Sequence, residues 1–186
     1  MINQYKIAKD NINLYVTLEI NPSKRRKFFL FFCILLMISI PISLISIIDS
    51  EPQNFIIPIS IISFLIFYFI IRYFLWNIYG KENIIINNKT ISYNRDFGLY
   101  QTKYSSNKYS KLDFAIQKIK NENDLDVGDL VFIDYLEDSQ LPEVIFQTSI
   151  LIPIDDLKKI QQEIELHLFD IDKDKLAGNY IVFSQN

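Results

Sequence analysis

The sequence predicts an α+β membrane protein: a two-helix transmembrane hairpin carrying a small β-rich domain that ends in one helix. Three observations predict it. Two long apolar blocks lie between Phe28 and Trp76. Basic residues flank the pair, whereas the short link between the blocks carries only Asp49 and Glu51. The rest of the chain alternates apolar and polar residues in short runs, until a three- and four-residue spacing takes over after Asp155.

The first element is a strand over 13–20, where Leu14, Val16, Leu18 and Ile20 fall on one face. A lone strand is not stable, so it is expected to pair with strands that follow the apolar blocks. Asn21-Pro22-Ser23 ends it and closes a segment 1–23. The hairpin then occupies 24–76, with spans at about 28–48 and 55–76. Phe28 to Ile48 is 21 residues without a charge, which as a helix spans roughly 32 Å, enough for a hydrocarbon core of about 30 Å. Phe55 to Ile71 is shorter and is extended past Arg72 by Tyr73, Phe74, Leu75 and Trp76. Arg72 can snorkel, and Tyr73 and Trp76 suit the aromatic belt at the headgroups.

Orientation follows from charge. Lys24, Arg25, Arg26 and Lys27 precede the first span, and Arg72 and Lys81 close the second. The positive-inside rule then places both termini in the cytoplasm and the chain as integral to the cytoplasmic (inner) membrane. A cleaved signal peptide fits the first block poorly. The block begins late, runs long, lacks a small-residue cleavage site and is followed by a second span. Ser39, Ser43 and Ser46 recur at helical spacing in the first span, as do Ser60 and Ser63 in the second. They read as a close helix–helix seam. The other reading, a polar stripe lining a pore in an oligomer, would gain from intramembrane ionisable groups, and Arg72 at the edge is the one such residue.

The β-rich part covers 77–169. Strands are expected over 83–87 and 90–95 around a turn at Asn88-Lys89, then over 99–104 after Phe97-Gly98. Further strands are expected over 111–119, 130–136 and 144–149. The polar, acidic stretch 121–129 reads as an exposed loop, and 154–169 as an amphipathic helix opened by Asp155 and Asp156. A tail over 170–186 carries Tyr180-Ile181-Val182-Phe183 as a further strand or docking segment.

Trp76-Asn77-Ile78-Tyr79-Gly80-Lys81-Glu82, with Ile84, Ile86, Ile91, Arg95, Phe97-Gly98 and Lys103-Tyr104, resembles a group of bacterial membrane proteins with a PH-like domain after a two-helix hairpin. Ile20-Asn21-Pro22-Ser23-Lys24-Arg25 is similar to the segment that precedes the helices in that group. The resemblance covers most of 13–169. It implies a PH-like antiparallel β-barrel of about seven strands capped by the C-terminal helix, and its motifs speak for architecture rather than chemistry.

No catalytic constellation is legible. Asp170-x-Asp172-x-Asp174 opens like a calcium loop, but position six is Lys175 and position twelve is Ile181. His167 is the one histidine and Cys33 the one cysteine, too few for a usual zinc site, so no metal or cofactor is expected. Asp134 and Glu137 alternate along a strand and could face solvent together, without a nucleophile to serve. The net charge of −3 argues against a nucleic-acid partner.

Two basic groups invite binding. Lys24–Lys27 fits a topology signal and also an anionic lipid surface. Lys103, Tyr104, Lys108, Tyr109 and Lys111 form a candidate lipid or partner patch. The expected role is a non-enzymatic, membrane-anchored adaptor or scaffold whose partners are the bilayer and another protein, or a second copy of the chain. The alternatives are a homo-oligomeric pore or membrane effector, and a lipid-sensing domain.

Overall fold

The computed structural model describes residues 4–47, 56–122, 125–135 and 141–182. Within helices and strands the described side chains leave out those at 37, 40–47, 56–57, 59–60, 120–122, 125 and 170–182. The chain divides into two compact units, one of residues 1–19, 81–95 and 101–186, the other of 20–80 and 96–100.

The first unit is built on two open antiparallel sheets. β1 (Tyr5–Lys9), β2 (Leu14–Glu19), β3 (Lys81–Ile86), β4 (Thr90–Asp96) and β5 (Ser105–Lys108) form a five-stranded sheet in that order. β6 (Leu112–Glu122), β7 (Leu125–Tyr135) and β8 (Pro142–Gln147) form the second, with the short β9 (Ile152–Pro153) also on β7. Period-two alternation decides what each strand buries. Leu14, Val16 and Leu18 of β2 point inward opposite Ile86, Ile84 and Glu82 of β3. The β3–β4 turn is shaped by Asn87, whose Oδ1 accepts from the Lys89 amide at 3.0 Å and the Thr90 amide at 2.9 Å. The Tyr109 hydroxyl donates to the Asn87 carbonyl and pins the same turn.

The sheets are joined by specific contacts. Tyr93 stacks on Phe146 with centroids 4.0 Å apart, and the Asn107 amide donates to the Ile145 carbonyl at 2.7 Å. Phe132, Leu130, Ile152 and Ile91 fill the interior. Helix α3 (Ile154–Val182) adds Leu157, Ile160 and Ile164, one stripe at helical spacing, and contacts β2, β6, β7 and β9. At the outer surface Glu19 accepts from Lys6 at 2.8 Å and from Lys81 at 3.2 Å. The Lys6 hydrogen bond, opposed by partial burial and helped by Lys81, holds the Glu19 carboxyl below its usual range.

The second unit holds α1 (Lys24–Ile47) and α2 (Ile56–Tyr79), which are in contact. Among the described residues one helix segment, Ile61–Tyr79 of α2, is long and apolar enough to cross a membrane, and only 11% of it is buried.

That finding corrects the expected two-span hairpin, and with it the placement as an integral inner-membrane protein with both termini cytoplasmic. One exposed apolar helix does not give a two-span topology. Run length in a sequence counts apolar residues without knowing where a helix begins. Here α1 takes Lys24, Arg25, Arg26 and Lys27 into its first turn, and the stretch 48–55 that would close a hairpin lies outside the described residues. The capped PH-like barrel is corrected too. The strands form two open sheets, with β1 and β6 at edges that have no strand partner among the described residues. The terminal helix also runs past Phe169 to Val182, so most of the expected tail is helical.

Candidate functional site

The chemistry-bearing residues of the second unit gather where α1 begins and α2 ends. The two helix ends are tied together: the Ile20 amide donates to the Gly80 carbonyl at 2.9 Å, and the Gly80 amide to the Trp76 carbonyl at 2.9 Å. Gly80 is required here, because a Cβ would lie 2.3 Å from the Trp76 carbonyl oxygen. Ser23 caps α1, its Oγ accepting from the Arg26 amide at 3.3 Å and its carbonyl from the Lys27 amide at 3.1 Å.

Lys24, Arg25, Arg26 and Lys27 follow, all exposed, in a first turn with no acidic residue. The positive end of the helix dipole disfavours cations there, each by roughly 0.3–1 kcal/mol. Four in succession run against the local preference of the fold.

At the end of α2, Arg72 is exposed and its guanidinium lies 5.3 Å from the centroid of Phe97. Phe97 stacks on Tyr100 with centroids 4.7 Å apart and meets Trp76 at a tilt, with centroids 5.2 Å apart. The turn 96–100 that brings these rings is tight. The Phe97 amide donates to the Tyr100 carbonyl at 2.9 Å, and the Gly98 amide to Asp96 Oδ1 at 2.7 Å. Gly98 has φ of +84°, and a Cβ there would come within 2.7 Å of Tyr79 Cβ. Leu99 at the tip is 81% exposed, and Tyr73 is 63% exposed.

Of the residues singled out from sequence, the topology group Lys24–Lys27, Arg72, Tyr73 and Trp76 shares this unit. Trp76 is half-buried against Phe97 and Tyr73 is open. Phe97 and Tyr100 were missed as members. Their only sequence signal is an aromatic pair around a glycine in Phe97-Gly98-Leu99-Tyr100. Of the serines, Ser39 donates to the Leu36 carbonyl at 2.7 Å within its own helix, and Ser63 is half-buried. The Ser43, Ser46 and Ser60 side chains lie outside the described set.

The second candidate patch runs along β5 and its flanks. Lys103 precedes β5 and Lys108 ends it, Tyr104 is exposed, and Tyr109 is engaged with the β3–β4 turn. Lys111 sits 6.0 Å from the Tyr135 ring centroid.

Other charged positions have structural work. Asp134 is buried rather than solvent-facing, and its Oδ1 accepts from the amides of Ser110 at 3.0 Å and Lys111 at 2.9 Å. Glu137 lies outside the described residues. His167 is buried on α3, and its Nε2 has no partner among the described residues. The backbone at Asp170, Asp172 and Asp174 is helical, which is not the geometry of a calcium loop. Among the described residues no group of three or more His, Cys, Asp or Glu is placed to hold a metal ion.

Compared with known protein families and with curated proteins, the chain gave no match.

Proposed function

We propose that the protein is a non-enzymatic adaptor, held at a lipid bilayer through the apolar helix α2 and offering its sheet unit to a protein partner. The observation that carries the reading is the exposure of α2: Ile61, Ile62, Phe64, Leu65, Phe69 and Tyr73 are all open, in a segment only 11% buried. A soluble monomer rarely leaves an apolar patch larger than a few hundred Å² uncovered, so a surface of this kind has an occupant. Lipid suits it because the helix satisfies its own backbone polar groups along its length.

The sheet unit supports the other half of the reading. The edge of β6 is open among the described residues, and its ladder with β7 is regular from Leu112 to Lys118, before the irregularity between Lys118 and Lys120. An edge of that kind accepts an added strand from a partner through backbone hydrogen bonds.

Flotation of the full-length chain with phosphatidylcholine vesicles, after dilution from mild detergent, tests the bilayer half. The wild type floats, and Phe64→Glu/Phe69→Glu stays at the bottom of the gradient with its circular dichroism unchanged. A wild-type chain that is monomeric and soluble without detergent or lipid overturns the reading.

A further inference from the structure

We infer that the lipid surface this protein recognises is anionic, and that the recognition is made by a collar of five cations, Lys24, Arg25, Arg26, Lys27 and Arg72. The inference rests on the bilayer reading above and adds the charge of the headgroup.

Charge balance within the unit is the first argument. Its helix-end region carries those five cations against one carboxylate, Asp96. Asp49 and Glu51 belong to the stretch outside the described residues. None of the five cations makes an ion pair among the described residues, and all five are exposed. In the sheet unit, by contrast, four lysines, Lys6, Lys81, Lys118 and Lys159, each meet a carboxylate within 4 Å. The collar is therefore a local excess of positive charge on a chain whose net charge is −3.

Position is the second argument. The Ile20–Gly80 hydrogen bond sets the start of α1 beside the end of α2, so the cations border the exposed apolar surface. Arg72 lies seven residues before the end of α2, roughly 10 Å along the axis. Its guanidinium rests over Phe97, in a cluster that also holds Trp76 and Tyr100. Exposed Tyr73 and Leu99 stand in the same unit. Cations bordering an apolar face, with amphipathic rings at the boundary, match an acyl layer topped by phosphate and an anionic headgroup.

The third argument is that four adjacent cations at the positive end of a helix dipole are disfavoured by the helix itself. An anionic surface reverses that preference, whereas a zwitterionic one does so weakly.

The test is partitioning of the full-length chain onto vesicles of phosphatidylcholine alone and of phosphatidylcholine with phosphatidylglycerol. Each basic residue near an anionic surface contributes roughly a fivefold gain, so the wild type favours the mixed vesicles strongly. The preference shrinks as salt rises above about 0.1 M and the Debye length falls below about 10 Å. Replacing Lys24, Arg25, Arg26 and Lys27 together by glutamine, a good helix former at exposed sites, cuts binding to the mixed vesicles by at least a hundredfold, by the same rule. Arg72→Gln cuts it by roughly fivefold. Equal wild-type binding to both vesicles, or a preference that the quadruple substitution leaves undiminished, overturns the inference and leaves the bilayer reading standing. A wild type that binds neither vesicle removes the bilayer reading instead.

Discussion

The carboxylate of Glu82 accepts the backbone amide of Ser149 at 2.9 Å, across 67 residues of chain. It also takes the Ser149 hydroxyl, and Arg95 Nε at 3.4 Å, while only 1% exposed. Glu82 belongs to one sheet and Ser149 to the segment between β8 and β9, so a single buried side chain fastens the two sheets of the unit. Glu82→Ala leaves the Ser149 amide without its acceptor and destabilises the protein by about 1–3 kcal/mol. Chemical denaturation of the full-length chain in detergent reads the loss. Arg95, half exposed, is rehydrated and adds little to it.

Asp134 gives a second buried acceptor with a finer test. Its Oδ1 takes two amides, from Ser110 and Lys111, and so sets the entry to β6. Asp134→Ala costs about 1–3 kcal/mol in the same assay. Asp134→Asn keeps a carbonyl oxygen in place and costs less than half as much.

Gly98→Ala meets two obstacles at once, a positive φ and the Tyr79 side chain. We expect a cost of about 1–3 kcal/mol, taken up by loosening of the 96–100 turn. Trp76 is the only tryptophan of the chain and packs on Phe97, so its emission shifts to the red as the ring pair separates. An unchanged spectrum would show that the turn keeps its seat on α2.

The turn between β1 and β2 should be pH-sensitive at its acid end. Asp10 accepts from the Asn13 amide at 2.6 Å and the Ile12 amide at 2.8 Å, which lower its pKa from 3.8 to about 2. A carboxylate depressed in the folded state stabilises fully above its ordinary value, and that stabilisation disappears as the pH falls through about 2. NMR shifts of the Ile12 and Asn13 amides report the titration, and Asp10→Asn abolishes it. The Tyr15 hydroxyl, raised chiefly by its hydrogen bond to Asp10, should ionise at lower pH in the same variant.

Strands with a clean apolar face were legible in the sequence. β2, β3 and β4 each alternate around buried Leu14, Ile84 or Ile91, and Asn88-Lys89 falls at the turn between β3 and β4. β1 was missed because Tyr5-Lys6-Ile7-Ala8-Lys9 is an edge strand with little to bury. β5 lies over Ser105–Lys108 rather than 99–104. Tyr100 stacks on Phe97 and Tyr104 is exposed, and Ser105-Ser106-Asn107-Lys108 has no apolar stripe to announce itself.

The expected loop at 121–129 is largely ladder, since β6 reaches Glu122 and β7 begins at Leu125. Backbone pairing continues through it, helped by Lys118 to Asp126 at 2.7 Å and by Gly128, where a Cβ would stand 2.4 Å from the Gln117 carbonyl. Composition marks polar residues as loop, and ladder hydrogen bonds need no apolar side chains. The same limit applies to the candidate site. Its cations stand out as a run, but the cluster of Arg72, Trp76, Phe97 and Tyr100 joins residues up to 28 positions apart and is created by the fold.

The pairing of β2 with β3, Leu14 against Ile86, has a consequence for how the chain is made. Both helices lie between these two neighbours in sequence. As the polypeptide leaves the ribosome, β1 and β2 emerge first and wait for the residues from 20 to 80 to be synthesised. At about 5–20 residues per second that is a delay of roughly 3–12 s. During it the inner face of β2 has no complement, and the apolar helices emerge before the sheet that follows them. A nascent chain that has cleared the ribosome through Ile86 should therefore protect Val16 and Leu18 from a hydrophobic probe, whereas one that has emerged only as far as Gly80 should leave them open.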